Sequence, residues 1–180
     1  MTMLRLPTAI ILMSLVAGSA QGTDVAAFTG KVEVVQDGET FSLVGGQKIR
    51  IFGLDAPGLR QRCQQNAVNA SRSSPCIPCG QSARRALEDL ILGKEVRCER
   101  RGESDGQMVG ECAYGRVKIG PWMLAHGYGV VDGEYMERRD LKAYVGTQRA
   151  AKEANTGLWA MSFIPPADWR NHKQRLECER

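Results

Sequence analysis

A mainly β chain with helices, built as a five-stranded barrel carrying about three helices, is what the sequence predicts, on three observations. Apolar residues alternate with polar ones through Val32, Val34, Phe41 and Leu43 and resume at Ile49 and Ile51, which is the period of half-buried strands. The alternation returns over residues 95–99 and 109–114, on either side of a turn at 102–106. Three further stretches read as helices, one between these strand runs and two after them. Five strands with helices inserted and appended is the layout of the oligonucleotide/oligosaccharide-binding barrel.

Taken in order, the chain opens with Arg5 and an apolar run over 9–17, closed by the small residues Gly18, Ser19 and Ala20. Residues 1–20 therefore read as a secretory signal peptide. The run falls short of the roughly 20 apolar residues that span a bilayer, and no later stretch approaches that length, so no membrane span is expected after cleavage. About 160 residues remain, enough for one core. One domain is expected over 21–170, followed by a charged tail over 171–180. Asp37-Gly38 and Gly45-Gly46 mark hairpin corners, where tight turns need positive φ. A polar loop fills 58–80. Over 81–92, Ala83, Ala86, Leu87, Leu90 and Ile91 share one face while Arg84, Arg85, Glu88 and Asp89 take the other, an amphipathic helix ended by Gly93. Gly120-Pro121 opens a second short helix that Gly127 closes. A third is expected over about 136–153, with Leu141, Tyr144, Val145 and Gln148 on one face. Pro165-Pro166 then ends regular structure.

Six cysteines in a small exported chain point to disulfides formed in an oxidising compartment, periplasmic or extracellular. Cys98 and Cys112 flank the predicted hairpin and are expected to pair; spacing alone leaves the rest open among fifteen connectivities. Cleavage of the signal removes Arg5 and no acid, so the formal charge drops from +4 to about +3. That small excess is compatible with a polyanion partner without demanding one. The two histidines, His126 and His172, are isolated and fit neither a zinc site nor a general base. Cys76-x-x-Cys79 lacks the βαβ surroundings of a redox pair. The basic residues over 84–101 read as a solvated face, and Trp122, Tyr128 and Tyr144 as packing residues. Tyr135, in a polar loop, is a candidate substrate contact. A monomer is expected.

Asp37, Glu39 and Asp55 fall at strand ends and Arg50 on a strand, which predicts an acidic pocket with an arginine beside it at the barrel mouth. The run Asp37-Gly-Glu39-Thr40, followed by Arg50, by Asp55-Ala56-Pro57 and by Gly157-Leu158-Trp159, resembles the thermonuclease family, the staphylococcal nuclease-like proteins. The resemblance implies a nuclease-like barrel. It also implies a calcium ion held by carboxylates of the first hairpin and of the Asp-x-Pro turn, and a substrate phosphate gripped by two arginines. On it, Arg50 is the first phosphate contact and Asp55 the carboxylate of the turn. Glu39 stands where the family has aspartate, with Asp37 as an outer carboxylate, which implies a weakened calcium site. Gly58 stands where the family has its general-base glutamate, and Val109 where it has the second arginine. Cys63 and Cys79 fall where exported relatives carry cysteines and are expected to pair, leaving Cys76 and Cys178, which could join.

A positioned general base contributes roughly 10²–10⁴-fold to rate, and an arginine on a transferring phosphoryl group roughly 10³–10⁵-fold. Losing either cripples turnover. The sequence therefore leads to a degenerate active site that binds an anion, a nucleic acid or a protein partner with little or no cleavage. The alternative is a weak calcium-dependent nuclease acting on DNA or RNA.

Overall fold

The computed structural model describes residues 27–65, 75–172 and 174–176. The expected signal peptide, Cys178 and the end of the charged tail lie outside the described residues.

Strand β1 (Ala27–Val35) is long and lies at the centre of the main sheet. It pairs antiparallel with β2 (Thr40–Leu43), which pairs with β3 (Lys48–Ile51) across the Gly45-Gly46 corner. Both glycines there have positive φ, as the turn requires. Next come three short strands: β4 (Leu54–Asp55), β5 (Cys63–Gln65) and β6 (Cys76–Ile77). Helix α1 (Cys79–Ile91) follows, and then the hairpin of β7 (Glu95–Ser104) and β8 (Gln107–Tyr114). β7 pairs with β1, and β8 pairs parallel with β3, which closes β1, β2, β3, β8 and β7 into a five-stranded barrel. The chain continues through β9 (Val117–Lys118), α2 (Ile119–Ala125), β10 (Val130–Val131), α3 (Arg138–Glu153), a turn of 3₁₀ helix (Gly157–Ala160), β11 (Met161–Ser162) and α4 (Pro166–Arg170).

The barrel is filled by Val32, Val35, Phe41, Leu43, Ile49, Ile51, Val96 and Val109, with Leu87 and Ile91 of α1 and Ile119, Met123 and Leu124 of α2. The alternation expected for β1 holds only to Val32. A register shift between Val32 and Val34 reverses the faces, so Val35 is buried while Val34 is 47% exposed. α3 keeps only part of its expected face. Leu141 and Val145 are exposed, while Tyr144 and Gln148 of the expected face do anchor the helix, Tyr144 by burial and Gln148 through its side-chain oxygen, which accepts from Val131 N at 2.7 Å, and Ala151 is buried as well.

Three of the four α-helices lie where the sequence put them. The fourth, α4, begins at the proline pair expected to end regular structure, because proline is well suited to the first turn of a helix. Both expected disulfides are present. Cys98–Cys112 links directly opposed residues of the β7–β8 hairpin, and Cys63–Cys79 ties β5 to the start of α1. Cys76 is also disulfide-bonded. Among the described residues no helix is long and apolar enough to cross a membrane.

Candidate anion site at the barrel mouth

The first hairpin delivers two acids with different roles. Asp37 turns back on the chain, and its Oδ1 accepts from Glu39 N at 2.9 Å, so this carboxylate caps the turn rather than facing a ligand. Glu39 points across the mouth and is only 7% exposed. Its Oε2 accepts from the backbone N–H of Ala56 at 2.6 Å, and its Oε1 is paired with Arg50 Nη1 at 3.0 Å. Burial pushes the Glu39 carboxyl up to about 7, with Arg50 and the Ala56 N–H acting the other way. That one hydrogen bond ties the first hairpin to the Asp55-Ala56-Pro57 turn.

Asp55 ends β4, held by pairing with Val130 of β10, and is likewise buried. Its partner is not Arg50. Arg170 Nη2 lies 2.5 Å from Asp55 Oδ1, and Arg50 uses its second nitrogen on Asp132 Oδ2 at 3.5 Å. Burial raises the Asp55 carboxyl above its ordinary value despite the Arg170 bond. The mouth thus holds Glu39, Asp55 and Asp132 against Arg50 and Arg170.

The positions where the resemblance implied losses are both occupied by structure. A Cβ on Gly58 would lie 2.8 Å from Cζ3 of Trp169, so the indole stands where a side chain at this position would begin. Val109 pairs with Arg50 in the parallel ladder but is 2% exposed within the core. An arginine there would have to bury its charge. Tyr135 donates its hydroxyl to Glu103 O at 2.7 Å, and its ring lies over Gly102, so the side chain is committed to β7.

Calcium needs several oxygen ligands converging at about 2.4 Å. Here both Glu39 oxygens and one Asp55 oxygen are engaged with nitrogen donors. Among the described residues, no group of three or more histidines, cysteines, aspartates and glutamates is placed to hold a metal ion. As arranged, the residues do not fit the ion.

Sequence reasoning located Glu39, Arg50 and Asp55 but not the pairing among them, and it missed Asp132, Trp169 and Arg170 as members of the site. The faint signal for Asp132 was its polar loop beside the expected pocket. For Trp169-Arg170 it was an aromatic followed by a cation after a proline pair.

A family model described as staphylococcal nuclease homologue matches residues 48–161. No curated protein matches the chain. The matched stretch runs from β3 through the start of β11, so it takes in Arg50, Asp55 and Asp132 and stops short of α4. On this match, which covers more than half of its length, the chain belongs to the staphylococcal nuclease homologue family.

Proposed function

We propose that this is an exported nuclease-fold domain whose active site is degenerate. Its barrel mouth holds a phosphate-bearing anion, foremost a single-stranded nucleic acid, with little or no cleavage. The observation that carries the reading is Trp169 packed against Gly58. A general base must come within hydrogen-bond reach of the water it activates, and this position has no side chain and an indole in front of it. The two buried acids of the mouth, Glu39 and Asp55, are already ion-paired. What the mouth retains is donor capacity. A guanidinium carries five N–H donors; Arg50 uses two of its nitrogens on carboxylates and Arg170 one. Export is supported by the N-terminal signal pattern and the disulfides.

The test is incubation of the purified chain with single-stranded DNA, once with calcium and once with chelator, followed by gel analysis of the strand. Binding without strand scission is the expected result. Calcium-dependent cleavage that disappears in Arg50→Ala would establish the weak nuclease instead.

A further inference from the structure

The mouth places a guanidinium against a carboxylate that the family resemblance assigned to a metal. Arg170 reaches Asp55 Oδ1 at 2.5 Å, and Glu39 and Asp132 are the other two acids whose charge it feels. We propose that Arg170 is the resident cation of this site: it neutralises Asp55 with one edge and offers its remaining donors to a phosphate group, so that the pocket holds its ligand without a divalent metal. The proposal rests on the anion-binding reading above and adds how that binding works.

Three features make the contact a built one. Ile164, just before α4, has its carbonyl bonded to Nε2 of Gln61 at 2.6 Å, and Gln61 is completely buried. Trp169 lies against Gly58 and carries the guanidinium of Arg175 over its ring, 4.7 Å from the centroid. Arg175 Nη1 also donates to Trp169 O at 2.7 Å. The segment carrying Arg170 is thus pinned before and after the residue. The Arg170 side chain nevertheless keeps 38% exposure, which leaves part of its fork open to solvent and hence to a ligand. Arginine suits this double role because its planar fork meets carboxylate and phosphate oxygens in the same geometry.

The experiment measures fluorescence anisotropy of a terminally phosphorylated single-stranded DNA in chelator and in calcium. Wild type is expected to bind equally in both. Arg170→Ala is expected to bind at least about tenfold more weakly in chelator, the scale of a lost charge-assisted hydrogen bond. Arg170→Lys keeps the charge and is expected to bind without metal, within about tenfold of wild type by the same measure. A wild type that requires calcium, an alanine variant that binds as tightly as wild type in chelator, or a lysine variant that requires calcium overturns the proposal. The strand without its terminal phosphate and inorganic phosphate alone are companion arms. The arm in which Arg170→Ala loses binding identifies a diester or a monoester as the group held.

If wild type binds none of these probes, the anion-binding reading fails, and terbium luminescence sensitised by tryptophan judges the cation role separately. Terbium bound by Arg170→Ala but not by wild type supports a resident guanidinium. Terbium bound equally by both, or by neither, overturns it.

Discussion

Arg50 and Arg170 face the same group of acids and arrive there by unrelated routes. Arg50 is carried by β3, a strand paired on both sides, with β2 antiparallel and β8 parallel, so the barrel's own hydrogen-bond register fixes where its guanidinium emerges. Arg170 is carried by a five-residue helix beyond β11, held by side-chain contacts with Gln61, Gly58 and Arg175. The first belongs to the barrel and to the stretch that the family model matches; the second is added to it. The barrel therefore sets the place of Arg50 and its pairing with Glu39, while the segment after it sets the place of Arg170 and its pairing with Asp55.

The largest expected effect separates the two arginines by stability. Removing Arg50 strands a Glu39 carboxylate that is almost wholly buried. Arg50→Ala is therefore expected to lose about 3 kcal/mol above pH 7, the scale of a broken buried pair. Arg170→Ala also strands a buried carboxylate, Asp55, but the Arg170 side of that pair is open to solvent that screens it, so the loss should be smaller, about 1–2 kcal/mol. Urea midpoints of the two variants give the answer; equal losses would erase the distinction between a barrel arginine and an appended one.

The next effect tests the packing of the appended segment on the barrel. Gly58→Glu must displace Trp169 and is expected to cost about 2 kcal/mol, as overpacking does. In a Trp169→Ala background the same glutamate should cost much less. A double-mutant cycle measures the coupling, and strictly additive effects would mean that the indole does not stand at Gly58.

A third effect concerns pH and is read at Glu39, the partner of Arg50. Folded Glu39 holds its proton up to about pH 7 and the unfolded chain releases it near 4.5, so the folded state carries more protons in between. The Glu39 contribution to stability therefore falls as pH rises through that window and is level above it. Glu39→Gln is expected to flatten that slope in a series of urea midpoints. An unchanged slope would assign the dependence to another group.

The barrel was legible because its signals are local: period-two alternation, glycine pairs at corners, and cysteines flanking a hairpin. The exceptions are instructive. Val34 and Val35 exchanged faces at a bulge, which the apolar pattern Val34-Val35 leaves ambiguous. Leu141 and Val145 had the spacing of a buried face and are exposed, while Tyr144 of the same face is buried edge-on against Phe52, because which part of a helix is covered depends on the element packed against it. At the site, Arg50, Glu39 and Asp55 could be named but not paired. Partner choice depends on distances of an ångström or less between side chains from β2, β3, β4 and α4.

What the sequence determined by itself was the five strands of the barrel, the disulfide of the β7–β8 hairpin, Glu39 and Asp55 at the mouth and the missing side chain at Gly58, since each is written within a few residues. Tertiary structure alone decided that Trp169 would stand in front of that glycine and that Arg170 would pair with Asp55. Those contacts join residues separated by more than a hundred positions. No local propensity encodes such a separation; it is closed only when the folded barrel offers α4 a surface on which to pack.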